Sequence, residues 1–197
     1  MKDRIRSFIA VELCDEIRPS LTREVDRPRQ TEADVRWVKP EAIHITLKFL
    51  GEVSRKKLPD VLDTMRDVAA GASPFRIVLS GVSFFPRQSK PRIIAAGIER
   101  ECAEPLIELA GAMDERVSHL GFGREERSFK PHITIGRVKS RRGVAELGEA
   151  LIDAAEKPLG EMVVSEVVMF MSELSRSGPT YTALGRAPLS KEPEDAD

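Results

Sequence analysis

Cysteine and aromatic residues other than phenylalanine are scarce in this sequence of 197 residues, which has two cysteines, one tryptophan and one tyrosine. Cys14 and Cys102 lie far apart, and neither belongs to a Cys-x-x-Cys pair. A disulfide framework needs more cysteines at closer spacing, so this usage argues against one. The sequence predicts reduced thiols in a cytosolic protein.

Long apolar stretches are also missing. No window approaches about 18 uninterrupted apolar residues, the length at which a transmembrane helix is expected. The stretch 8–13 near the N-terminus is short and is interrupted by Glu12, so it does not match the apolar region of a signal peptide. We therefore expect no membrane partner and a cytoplasmic location.

The sequence has no excess of charge of one sign, since 31 basic residues face 32 acidic ones and the net charge is -1. This balance argues against a protein that coats nucleic acid non-specifically. Arg87 and Lys90 stand close together, as do Arg127 and Lys130, although such runs are usually solvated loops. The 41% hydrophobic content indicates a soluble globular protein, and the length of 197 residues favours one domain or at most two.

Two of the three histidines open the same four-residue pattern of His, aliphatic, Thr, aliphatic. The copies are His44-Ile45-Thr46-Leu47 and His132-Ile133-Thr134-Ile135. A single copy is usually an ordinary half-buried strand, but strand structure gives no reason to repeat His and Thr together. The repeat therefore indicates one site built from two copies. The third histidine, His119, is expected at a helix end or in a loop.

Side chains of a β-strand alternate between its two faces. Ile45 and Leu47 are therefore predicted to enter a core, while His44 and Thr46 face outward together. In the second copy, by the same alternation, the two isoleucines face inward. Two sheets that set the outward pairs opposite each other would form a cleft with two imidazoles and two hydroxyls.

This set of side chains suits phosphate chemistry without a metal or an organic cofactor. One neutral imidazole can take a proton from an attacking water, while the other, as imidazolium, protonates the departing oxygen. The threonine hydroxyls would donate hydrogen bonds to the non-bridging oxygens. In-line displacement places attacker and leaving group on opposite sides of phosphorus, which requires two separated histidines. The spacing does not show which histidine is the acid and which is the base.

A zinc site is the alternative, but it usually needs three or four His, Cys or carboxylate ligands.

With these motifs the sequence resembles the two-histidine (2H) phosphoesterases. Within them it is most similar to the bacterial and archaeal RNA 2′,3′-cyclic phosphodiesterases, which are often labelled 2′-5′ RNA ligases. The likeness covers nearly the whole chain, and its specific part is the two histidine motifs, with Phe-x-Pro-His leading into the second. The stretches that carry it are Arg6–Val11, Arg36–Val38, His44–Val53, Phe84–Pro86, Phe129–His132 and Tyr181–Leu184.

The resemblance implies roles for six residues. These are a catalytic pair (His44, His132), phosphate-binding hydroxyls (Thr46, Thr134) and a sandwich around the terminal nucleobase (Phe49, Arg137). Strict alternation disagrees about the sandwich, because an offset of five places each residue on the face opposite to its histidine. Gly136 permits a bulge before Arg137, but nothing equivalent precedes Phe49, which alternation alone assigns to the core. Ala95 stands where the family tends to carry a Trp, so a wall made by that ring is missing.

Hydrophobic periodicity predicts strands that alternate with helices. Strands are predicted over 6–11, 35–38, 43–50, 75–84, 92–98, 132–138, 162–171 and 181–184, and helices over 15–26, 54–70, 101–120 and 144–155. The duplicated motif and the paired strands favour an α+β fold over a doubly wound parallel one. We predict one two-lobed, pseudo-symmetric domain over 1–188, with an antiparallel sheet in each lobe, helices outside and the motifs on central strands lining a groove. Residues 189–197 are expected to form a disordered tail.

The predicted function is hydrolysis of a 2′,3′-cyclic phosphate at an RNA 3′ end or on a nucleotide, by a monomeric enzyme. By resemblance the product is a 2′-phosphomonoester. One alternative is a 2′-5′ RNA ligase or another cyclic-nucleotide phosphodiesterase, which product analysis would distinguish. The other is a non-catalytic nucleotide-binding module, which would bind a 2′-nucleotide without turning over a cyclic one.

Overall fold

Nine strands form two antiparallel sheets in the computed structural model, which describes residues 3–86, 91–175 and 178–191. The strands are β1 (Arg4–Glu12), β2 (Val35–Trp37), β3 (His44–Ser54), β4 (Phe75–Phe85), β5 (Ile93–Ile98), β6 (Ile133–Val138), β7 (Pro158–Val164), β8 (Glu166–Ser175) and β9 (Gly178–Pro188). The helices are α1 (Ile17–Glu24), α2 (Asp26–Arg29), α3 (Leu58–Ala70), α4 (Glu104–Ser118) and α5 (Val144–Leu151). Arg87 and Lys90 of the predicted basic run lie outside the described residues.

Each lobe contains one sheet. The first sheet has the strand order β3-β1-β8-β9, and the second has the order β2-β6-β5-β4-β7. Helices α3 and α4 pack against the first sheet, whereas α1 and α5 pack against the second. Because each sheet draws strands from both halves of the chain, the lobes interleave in sequence. The predicted two-lobed α+β fold with antiparallel sheets is confirmed.

One hydrophobic core is shared by the two lobes. The aliphatic residues of both histidine motifs belong to it, and Ile45 and Ile133 have no exposed surface at all. Full burial of one such side chain contributes about 1.5 to 3 kcal/mol to stability. The predicted alternation is therefore correct through the first four residues of each motif. Among the helices in the described part of the chain, none has the length and the apolar composition that a membrane span requires.

The segment predicted as one strand over 162–171 is in fact two strands in different sheets. Strand β7 ends at Val164 and pairs with β4 in the second sheet, whereas β8 begins at Glu166 and pairs with β1 in the first. Ser165 is the single residue between them, and its carbonyl accepts a hydrogen bond from the backbone N–H of Leu189. The sequence contains no Gly or Pro there, so the crossing between lobes leaves no turn signal.

Two further predictions about the fold need correction. Both motifs are predicted on central strands, but β3 is an edge strand of its sheet, while β6 lies between β2 and β5. The ordered chain also extends beyond the predicted boundary at 188. Leu189 is buried, and the backbone N–H of Lys191 donates to the carbonyl of Ala72. Residues 192–197 of the predicted tail lie outside the described residues.

Candidate functional site

The two histidine motifs meet where the lobes join. His44 is the first residue of β3, His132 immediately precedes β6, and these two strands contact each other. The histidine and threonine of each motif are half-buried, whereas the aliphatic residues between them are buried. The two motifs therefore line one cleft between the lobes, with His44 and Thr46 on one side and His132 and Thr134 on the other.

A register shift changes the direction of the side chains after the first motif. In the pairing of β1 with β3, Leu47 is an extra residue without a partner, as in a β-bulge. Leu47 and Lys48 are consequently both buried although they are adjacent. Phe49 then returns to the face of His44, and its side chain is 54% exposed. The assignment of Phe49 to the core by alternation is therefore wrong.

The second motif contains the same shift at the same place. In the pairing of β5 with β6, Ile135 is the extra residue, so Ile135 and Gly136 are both buried and Arg137 is exposed on the face of Thr134. The glycine is required by packing, because a Cβ at Gly136 would lie 2.9 Å from Cγ1 of Val35. A bulge at the third position after each histidine thus brings both fifth positions to the cleft.

Each histidine ring is held by the backbone carbonyl two residues before it. The Nδ1 atom of His44 lies 2.9 Å from the carbonyl oxygen of Ala42, and Nδ1 of His132 lies 2.7 Å from that of Lys130. Since a carbonyl oxygen only accepts, each Nδ1 carries the hydrogen. The neutral imidazoles therefore keep an unprotonated Nε2, which is the atom available for proton transfer.

Each histidine ring also stacks on a phenylalanine. The ring centroids of Phe8 and His44 are 4.7 Å apart, and those of Phe85 and His132 are 4.4 Å apart. Tyr181 contacts His44 edge-on at 5.2 Å. Sequence reasoning did not identify these three aromatic residues as parts of the site, although alternation along β1 places Phe8 on the face opposite to the buried core residue Ile9.

Burial controls the charge of His44. Desolvation, together with the positive charge of Arg137, lowers the pKa of His44 to about 4, although the carbonyl of Ala42 and the carboxylate of Glu12 act in the opposite direction. Arg137 belongs to the other lobe, so its influence on His44 is a further sign that the two motifs converge. The His44 imidazole is neutral near pH 7 in the unliganded protein.

This shift predicts how stability depends on pH. Between pH 6.5 and about 4 the unfolded chain protonates His44 and the folded protein does not, so the free energy of unfolding should fall as the pH falls through this range. A shift of this size changes the free energy of unfolding by about 3 kcal/mol over the range. It is measured by urea unfolding of the wild type and of His44→Gln, which does not titrate. Parallel pH profiles of the two proteins would contradict the shift.

The segment that leads into the second motif is anchored to the strand of the first. Lys48 is 2% exposed, and its ammonium group donates hydrogen bonds to the carboxylate of Asp114 on α4 and, at 2.6 Å, to the carbonyl of Gly123. Asp114 also accepts from the backbone N–H of Glu125. Burial alone would raise the pKa of Asp114, but these hydrogen bonds hold it below its usual value. Lys48 thereby fixes the start of the loop that ends at His132.

The alternative of a zinc site requires a group of side chains that can bind the metal. Within the described residues there is no group of three or more His, Cys, Asp and Glu side chains that could hold a metal ion. Ala95 pairs directly with Thr134, so no large side chain stands beside this hydroxyl on the neighbouring strand. The cleft offers two imidazoles, two hydroxyls and a guanidinium group to a ligand.

Comparisons with known proteins show which family of sequences the chain matches. The sequence model of the family described as LigT like Phosphoesterase matches residues 11–95 and again 97–181, so that each match contains one histidine motif. A protein of Methanothermobacter thermautotrophicus named RNA 2′,3′-cyclic phosphodiesterase is 36% identical over 179 residues, which are 91% of this chain and 96% of that protein. An Archaeoglobus fulgidus protein of the same name is 34% identical over 91% of this chain and 98% of its own.

Solved structures show the same relationship. A Thermus thermophilus protein aligns with a TM-score of 0.80 at 31% identity, covering 95% of this chain and all of that one. Escherichia coli LigT, in a complex with 3′-AMP, aligns with a TM-score of 0.75 at 26% identity, covering 95% of this chain and 99% of that one. The two matches of the family model, the paired motifs and the common fold place the chain in the LigT-like phosphoesterase family of the 2H superfamily.

Proposed function

We propose that this protein hydrolyses 2′,3′-cyclic phosphates at RNA 3′ ends or on nucleotides and releases 2′-phosphomonoesters. The observation that carries the proposal is the pair of imidazoles from opposite lobes in one cleft, each with Nδ1 bound to a backbone carbonyl and Nε2 left for proton transfer. The relatives named RNA 2′,3′-cyclic phosphodiesterase, which match over most of their length, support this substrate.

In the proposed reaction one Nε2 accepts a proton from water while the water oxygen bonds to phosphorus. The bond from phosphorus to the 3′ oxygen breaks on the opposite side, and the other imidazolium gives that oxygen its proton. The hydroxyls of Thr46 and Thr134 donate hydrogen bonds to the non-bridging oxygens. Neutral His44 can accept a proton in the free protein. A bound phosphate anion would raise its pKa and equip it equally to donate one.

Phe49 and Arg137 are proposed to hold the terminal base. Phe49 is a large, exposed aromatic residue. Its ring centroid lies 6.1 Å from that of Phe8, which belongs to a small buried apolar cluster with Phe170 and the partly buried Tyr181. Arg137 is exposed at the equivalent position of the other lobe. A ring and a guanidinium plane can both stack on any base, because every base has a π-face.

No cofactor or metal is included in the proposed mechanism, since two imidazoles supply the acid and the base. We expect the enzyme to act as a monomer, because one chain contributes both motifs to the cleft. Cys14 and Cys102 are free, which fits the proposed cytoplasmic location.

The experiment that tests the proposal is an assay of the purified protein with the four 2′,3′-cyclic nucleotides in excess EDTA. We expect the rate of hydrolysis in EDTA to equal the rate without it. Chromatography should identify the products as 2′-phosphates. Loss of all activity on chelation, with recovery on addition of zinc or manganese, would contradict the metal-free mechanism. Binding of 2′-nucleotides without hydrolysis of any cyclic one would identify a non-catalytic module instead.

A further inference from the structure

Three exposed arginines lie at one end of the cleft. They are Arg6 on β1, Arg36 on β2 and Arg137 on β6. Within the described part of the chain no carboxylate forms a salt bridge with any of them, although Glu52 is the register partner of Arg6. The opposite end of the cleft differs, because there Arg186 pairs with both Glu12 and Glu166.

Arg36 and Arg137 stand directly opposite each other in the pairing of β2 with β6. Directly opposed residues of an antiparallel pair share a face, and like charges in that arrangement are destabilising. The chain nevertheless places two guanidinium groups there without a carboxylate between them. A bound anion would remove the repulsion, so this pair is the feature that points to a ligand.

The other lobe completes the same surface. Nη2 of Arg36 lies 3.9 Å from the position that a Cβ on Gly178 would occupy, so its guanidinium group reaches the start of β9. Arg6 is two residues from Phe8 on β1, and alternation therefore places it on the same cleft face. The positive charges of Arg6 and Arg137 both act on the hydroxyl of Tyr181 and oppose the rise in its pKa that burial causes. Two of the three cations thus act on Tyr181, and the third reaches the start of the strand that carries this residue.

The direction of the strands relates this cluster to the bound nucleotide. Along β3 the chain passes from His44 to Thr46 and Phe49 and then towards the partner of Arg6, and β6 runs from Thr134 to Arg137 beside Arg36. The cyclic phosphate and the base of the proposed substrate belong to one ribose. The next group of an RNA substrate, the phosphodiester on the 5′ oxygen of that ribose, would therefore lie near the arginine cluster.

We propose that Arg36, assisted by Arg6, binds the phosphodiester on the 5′ side of the terminal nucleotide. The preferred substrate is then an RNA strand that ends in a cyclic phosphate rather than an isolated cyclic nucleotide. This inference depends on the proposed function. A guanidinium group suits the task because its N–H donors match two oxygens of a phosphodiester at once.

The test compares two substrates that differ by one phosphodiester, adenosine 2′,3′-cyclic phosphate and the dinucleotide ApA with the same cyclic end. The measured quantity is the ratio of their kcat/KM values in the wild type and in Arg36→Gln. We expect the wild type to prefer the dinucleotide, with a preference that weakens as salt rises. Arg36→Gln should lower the ratio about tenfold, the worth of one charge-assisted contact. Arg66→Gln, an exposed arginine on the outer helix α3, should leave the ratio unchanged.

Thermal melting provides a second readout. Removal of Arg36 relieves the repulsion with Arg137, so the Tm of Arg36→Gln should equal that of the wild type or exceed it. An unchanged ratio in Arg36→Gln, or a wild type that treats both substrates alike, would overturn the inference. So would a lowered Tm with an unchanged ratio, since it would make Arg36 structural. If neither substrate is hydrolysed by the wild type, it is the proposed function that fails.

Discussion

Replacement of His44 or His132 by alanine should lower kcat for a 2′,3′-cyclic nucleotide by about 10² to 10⁴, the usual contribution of a general acid or base. Both rings lie in the cleft with Nδ1 bound to a carbonyl, so each substitution removes one Nε2. The measurement is steady-state turnover at saturating substrate, with unfolding curves to establish that each variant is folded.

The double variant tests whether the two rings act in one step. If one imidazole takes a proton while the other gives one, the two substitutions disable the same step. The factor by which kcat falls in His44→Ala/His132→Ala should then be well below the product of the factors in the single variants. His119→Ala is the matched control, because the third histidine is exposed directly after α4. A folded single variant of the cleft with wild-type turnover would make that histidine structural.

The side-chain pattern predicted the direction of the motif side chains and the core beneath them. His44 and Thr46 face the cleft while Ile45 is buried, as period-two alternation requires. The rule fails one residue after each motif, because a bulge adds a residue to the strand. A bulge forms in the pairing of two neighbouring strands. It therefore depends on β1 and β5 as well as on β3 and β6, which carry the extra residues. That is why the position of Phe49 could not be derived from its own segment.

The sequence did not reveal which sheet each strand enters either. The apolar run through 162–171 contains no turn residue, yet Ser165 separates strands of different lobes. Buried positions of both sheets demand the same aliphatic residues, so composition does not reveal which sheet a residue enters. The carbonyls of Ala42 and Lys130, which orient the histidines, are backbone groups that every residue has. They can orient the histidines only because the folded loop before each strand places them beside the rings.

Lys48→Met is expected to destabilise the protein by about 3 kcal/mol, because it removes the buried partner of a largely buried carboxylate. Asp114 would keep the N–H of Glu125 as a donor and the exposed Arg124 at 3.8 Å, but it would lose the buried ammonium group, and the carbonyl of Gly123 would lose its donor. Methionine fills nearly the same volume, so a cavity does not explain the loss. The measurement is the free energy of unfolding in urea at pH 7.

Two comparisons show whether this loss comes from the unpaired charge. Lys57→Met removes an exposed ammonium group that donates to the carbonyl of Leu120 at the start of the same loop, and it should cost less than about 1 kcal/mol. The double variant Lys48→Met/Asp114→Leu removes both charges and should be more stable than Lys48→Met alone, since neither partner is then left buried without its counterpart. If the loss in the double variant were instead the sum of the losses in Lys48→Met and in Asp114→Leu, the two partners would not be coupled. The loss in Lys48→Met would then come from its hydrogen bond to the carbonyl of Gly123 and not from the pair with Asp114.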